Sequence, residues 1–174
     1  MRKFLEKLIN PGIVVVIAVA ARLLPHMANF TPIGAMALFG GAYVNKKWAI
    51  AAPLVAMFVS DIFIGFDSLG SRLSVYGSFV LIGLIGMWLR THKNPGNVLL
   101  AAVGSSLLFF LITNFYVWAA GMYARDLSGL MQSYLMGIPF FRGTLFGDLF
   151  YTTTFFGGYE LAKKLVTEKA RVYT

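Results

Sequence analysis

Apolar runs long enough to cross a bilayer recur along this 174-residue chain, and short basic segments separate them. A helix needs about 20 apolar residues to span about 30 Å of hydrocarbon. The spacing predicts about six such helices, over about residues 12–24, 31–44, 48–66, 74–89, 98–120 and 141–166. Composition points the same way. Hydrophobic residues make up 58% and charged residues 13%, about half the charged share of soluble chains. A soluble domain of this size has too little interior to hide so much apolar surface. The expected fold class is therefore an all-α membrane protein, one integral membrane domain over 1–174 with the lipid bilayer as its first partner.

Two predicted spans are short. Residues 12–24 stop at Pro25, and the amphipathic stretch Phe4, Leu5, Leu8 and Ile9 is expected to extend them along the interface. Residues 31–44 cannot cross the hydrocarbon unaided, so this helix is expected to be broken, tilted or buried. Leu127, Leu130, Met131, Tyr134, Leu135 and Ile138 fall at helical spacing. They predict an amphipathic helix over about 127–138, lying on the extracytoplasmic membrane face between the fifth and sixth spans. Arg2, Lys3 and the small residues Ala18-Val19-Ala20 resemble a signal peptide, but Arg22, Leu23 and Leu24 prolong the segment past the cleavage position.

The basic residues set the orientation. With the N-terminus inside, 11 of the 15 Lys and Arg residues fall in inner segments, among them Lys46, Lys47, Arg90, Lys93, Lys163 and Lys164. Only Arg72 and Arg125 fall in outer loops. This bias predicts that both ends lie in the cytoplasm of a multi-pass cell-membrane protein. It also accounts for the net charge of +8 as a topology signal and gives no support for nucleic acid as a partner. No cysteine occurs, so disulfides and thiolate ligands are excluded. His26 and His92 are predicted on opposite sides of the membrane, which disfavours a histidine metal site. Neither a catalytic triad, a phosphate-binding loop nor a metalloprotease helix appears, and no enzyme, cofactor or metal is expected.

The same topology gathers the unusual polar residues in the outer half. His26, Asn29 and Thr31 enter the second span, and Asp61 lies near the outer end of the third. Thr113 and Asn114 approach the outer end of the fifth, and Arg142, Asp148, Tyr151 and Thr152 lie in the outer part of the sixth. Ionisable residues in spans are costly and face a cavity or one another. One reading is a pair of structural ion pairs, with Arg22 and Arg142 as counter-charges for Asp61 and Asp148. The other is an outward pocket for a small-molecule ligand, walled by Phe30, Phe115, Tyr116 and Trp118. Its candidate contacts are Asn29, Phe30, Thr31, Asp61 and Asn114, with Phe115, Trp118, Arg142, Asp148 and Tyr151.

An internal echo runs beside this pattern. Asn29-Phe30 recurs as Asn114-Phe115, Pro53 as Pro139 and Asp61-Ile62-Phe63 as Asp148-Leu149-Phe150, at nearly constant offset. Two halves related by inverted topology, or chance in a phenylalanine-rich chain, would produce it. Ala52/Ala56, Ala37/Gly41 and Gly143/Gly147 are small-residue pairs one turn apart, expected at helix-packing faces.

The run Asn29 to Ala35, Ser60-Asp61 with Gly65-Phe66, Thr113-Asn114-Phe115 and Ile138 to Asp148 resemble a family of small uncharacterised bacterial membrane proteins. In size, span number and outward pocket, that family is similar to the substrate-binding S components of energy-coupling factor vitamin transporters. The resemblance implies capture of a vitamin-like molecule from outside and a shared ATP-driven energising module as partner. One feature departs from it. Many S components dock through an Ala-xxx-Ala face on the first span, whereas here Ala18 is followed by Arg22. A solitary proton-coupled carrier or channel, and a ligand-free structural subunit, remain as alternatives.

Overall fold

The computed structural model describes residues 11–24, 27–44 and 46–172, and among these every regular element is a helix. The six are α1 (Pro11–Leu23), α2 (Ile33–Tyr43), α3 (Lys46–Ile64), α4 (Leu69–Leu89), α5 (Pro95–Ala119) and α6 (Leu127–Val172). The stretch Phe4–Ile9 and His26 lie outside the described residues.

Local chemistry sets the helix ends. Ser68 caps α4 by accepting from the Ser71 N–H at 3.2 Å, so the helix begins five residues before the predicted Ser74. Asn94 caps α5 in the same way, accepting from the Asn97 N–H at 2.8 Å, with Pro95 in the first turn where its missing N–H costs nothing. α3 stops at Gly65, whose φ of 105° suits glycine and whose N–H reaches the Asp61 carbonyl at 2.9 Å.

α2 lies at the centre and touches each of the other five helices. Ile33 to Ala42 are all buried. A helix that is apolar all round belongs inside a bundle. Its 11 residues rise only about 16 Å, so of the three expectations for residues 31–44 burial is the one realised. Small residues bring the neighbours close. A Cβ on Gly41 would stand 2.5 Å from the Gly86 carbonyl carbon and 2.6 Å from the Gly83 oxygen, so α2 and α4 touch backbone to backbone. Ala52 and Ala56 are buried on α3, as expected of a packing face. Gly143 and Gly147 instead admit the turn before α2: a Cβ on Gly143 would strike the Ala28 carbonyl oxygen, and one on Gly147 would lie 3.2 Å from the Phe30 Cα.

The structure corrects the expectation of a separate helix over 127–138. α6 is one helix of 46 residues with Pro139 inside it, about 69 Å long. Its first turns run antiparallel to the end of α5 and do not lie apart from the bundle. Ser133 Oγ donates to the Asn114 carbonyl at 2.7 Å, and Tyr134 OH donates to the Leu111 carbonyl at 3.1 Å. The Phe110 ring meets Tyr134 and Phe141 at 5.6 and 4.9 Å. The apolar stripe that suggested an interfacial helix is the stripe that packs on α5.

Three helices, over Lys47–Ile64, Leu69–Leu89 and Pro95–Ala119, are long and apolar enough to cross a membrane. Large apolar side chains point outward from them, Phe63 and Leu100 at 70% and 71% exposure. Such a surface suits lipid and not water.

Candidate functional site

A cleft opens among the helices, in two adjoining hollows of about 330 and 340 Å³. Arg22, Met57, Ile64, Asp67 and Val75 line both. All six helices contribute to the first hollow: Arg22 from α1, Gly34 from α2, Met57 from α3, Phe79 from α4, Phe109 from α5 and Asp148 from α6. The second lies toward Asp61, Ser71, Arg72 and Tyr76. A larger groove of about 640 Å³, between α5 and α6 near Lys93 and Glu160, is mostly apolar. The cleft is the better candidate because it joins every helix and holds the most deeply buried charges.

Asp61 is 6% exposed and both its oxygens are engaged. Arg22 Nη1 stands 2.6 Å from Oδ1, and Tyr76 OH donates to Oδ2 at 2.6 Å. The same Arg22 nitrogen reaches Ser60 Oγ at 2.5 Å and the Met57 carbonyl at 3.3 Å. One carboxylate thus ties α1, α3 and α4 together. The expectation that Arg22 balances Asp61 is met.

Asp148 differs. It is 3% exposed, and its Oδ2 lies 2.7 Å from Ser106 Oγ, which is also 3.1 Å from the Ala102 carbonyl. Gly34 leaves it room, since a Cβ there would overlap Oδ1. No basic side chain among the described residues pairs with it. Arg142, the expected counter-charge, is exposed on α6 and forms no ion pair among the described residues. Six residues of helix put the two side chains about 120° apart, on different faces.

The ten candidate contacts therefore separate. Asn29, Thr31 and Asp148 line the first hollow and Asp61 the second. Asn29 adopts φ 61°, a left-handed turn conformation that asparagine tolerates. Phe30 and Tyr151 pack on each other at 5.4 Å, and Phe30 also meets Phe150 at 5.8 Å, away from the cleft lining. Asn114 donates to the Phe110 carbonyl of its own helix at 2.8 Å, and Gly137 of α6 packs against its side chain. Trp118 Nε1 donates toward the Ala124 and Asp126 carbonyls, bracing the α5–α6 turn, with the Phe115 ring tilted against it at 5.4 Å. The Asn-Phe part of the internal echo consequently falls on unlike structures, a turn at Asn29 and mid-helix at Asn114.

Sequence reading missed Ser106 and Tyr76 as partners of the two acids, and Phe79 and Phe109, whose rings meet at 5.3 Å in the cleft wall. Ser106 left a signal: with Ser105 it is the only polar pair in the apolar run from Val98 to Ile112.

Three helices long and apolar enough to cross a membrane, in an all-α fold, suggest a multi-pass helical membrane protein. The chain belongs to a family of unknown function, DUF6580, whose pattern matches residues 2–170. Neither a curated protein nor a solved structure matches it.

Proposed function

We propose that the protein binds a small molecule in this cleft and serves its uptake across the cell membrane. The observation that supports the reading is a bundle-centred hollow of about 330 Å³ with Asp148 buried in its wall. A concave site where polar groups converge among apolar side chains suits a small ligand. In this reading the helices make about six spans with both ends cytoplasmic, and the cleft opens outward beside Asn29 and Asp67. The likeness to energy-coupling factor S components extends the proposal to a vitamin-like molecule handed on to an ATP-driven module.

Mass spectrometry of small molecules retained by the full chain after mild-detergent purification tests it. The wild type should retain one compound, and Thr144→Trp, which fills the first hollow, should lose it. A wild type that retains and binds nothing defeats the reading. The buried Asp148 favours one second reading, a carrier that exchanges protons at this carboxyl. Uptake into vesicles that follows an imposed pH gradient would select that reading.

A further inference from the structure

The charges around the cleft do not cancel locally, and the way they fail to cancel describes a ligand. Arg22 and Asp61 neutralise each other at 2.6 Å. Asp67 sits exposed at the rim, accepting from Ser71 Oγ at 3.3 Å. That leaves Asp148 in the first hollow and Arg72 in the second. Among the described residues no cation pairs with Asp148 and no carboxylate pairs with Arg72. The Arg72 Nε is shut away from solvent without a hydrogen-bond partner, and its guanidinium lies 5.0 Å over the Phe66 ring. The wall shared by the two hollows carries Met57, Ile64 and Val75 as its apolar stretch, beside the Arg22 and Asp67 side chains.

Asp148 is buried, whereas Arg72 is half-buried with its Nε closed to solvent. A charge held out of water without a partner is costly, and two of opposite sign cannot both be answered by a molecule of one sign. We propose that the cleft binds a zwitterion, with a basic nitrogen meeting Asp148 beside Ser106, an acid group meeting the Arg72 fork, and an apolar link along Met57, Ile64 and Val75. Arginine suits the acid end because its planar donors grip a carboxylate or phosphate at two points. A plain amine would leave Arg72 unanswered, and a plain acid would leave Asp148 so. The inference rests on the small-molecule reading above and specifies its ligand class.

Calorimetry on the full chain in lipid nanodiscs tests it, with 6-aminohexanoate and 8-aminooctanoate as probes and hexylamine and hexanoate as singly charged controls. At least one amino acid should bind about tenfold tighter than either control, each lost charge contact costing about that factor. Asp148→Asn should abolish the advantage over hexanoate, and Arg72→Gln the advantage over hexylamine. Arg72→Lys, which keeps the charge without the fork, should restore part of the second, and unchanged melting would separate these effects from misfolding. Controls that bind as tightly as the amino acids overturn the zwitterion and leave the binding reading intact. No binding by any probe also overturns the zwitterion, and the binding reading then falls only if the full chain retains no compound through purification.

Discussion

Arg22 of α1 and Asp61 of α3 meet at 2.6 Å with side chains only 19% and 9% exposed, so the pair fastens the first helix to the bundle. Asp61→Asn should strand the Arg22 charge and destabilise the fold by about 3 kcal/mol, the lower end for breaking a buried pair because Arg22 keeps some water. Arg22→Met combined with Asp61→Leu should recover most of that loss, since two apolar groups leave no stranded charge. Thermal melting of Arg22→Met, Asp61→Leu and the double variant measures the coupling. Additive losses would show that the pair does not fasten the helices.

Glycines that abut a neighbouring backbone and glycines that face open space should respond oppositely to alanine. Gly86→Ala would drive a methyl into the backbone of α2 at Leu38 and should cost about 1–3 kcal/mol. Gly77→Ala and Gly104→Ala meet nothing within 4 Å and should be neutral or stabilising by up to about 1 kcal/mol. Melting temperatures in one detergent check all three.

The continuous α6 makes a prediction about reagent access. The chain has no native cysteine, so single cysteines report cleanly. Leu127→Cys, at a position 73% exposed, should react with a membrane-impermeant thiol reagent. Ser133→Cys, at a position 1% exposed against Asn114, should not. Equal labelling would return residues 127–138 to the membrane surface.

Asn114 and Asp148 should also part company. Asn114→Ala removes a hydrogen bond to Phe110 and should lower stability by about 1 kcal/mol without changing probe affinity. Asp148→Asn should change probe affinity at nearly constant volume. Calorimetry and melting on both variants distinguish the packing role from the binding role.

Much of this was legible in the sequence. Membrane class follows from apolar run lengths; the shortness of residues 31–44 allowed a broken, tilted or buried helix, and the cost of charge in lipid made an ion pair of Arg22 with Asp61 one of two readings of that acid. The apolar stripe of Leu127 to Ile138 pointed to a separate interfacial helix because a stripe facing lipid and a stripe facing another helix have the same spacing. Whether a helix of this length continues is decided by the packing of Ser133 and Tyr134 on α5, which no local pattern records. Asn114 and Arg142 were gathered with the acids because they share a depth. Depth is readable from span boundaries, but rotation about the helix axis is not, and rotation placed Asn114 against Gly137 and left Arg142 exposed.

The enclosure of α2 has a consequence for how the surrounding lipid acts on the protein. Ile33 to Ala42 are shielded by five neighbouring helices, so acyl-chain length cannot act on this segment directly. Adjustment to a thicker or thinner bilayer falls on the outer helices, which tilt to match it. Because Gly34 of α2 and Asp148 of α6 line the same hollow, a tilt of α6 relative to α2 would change the shape of the site.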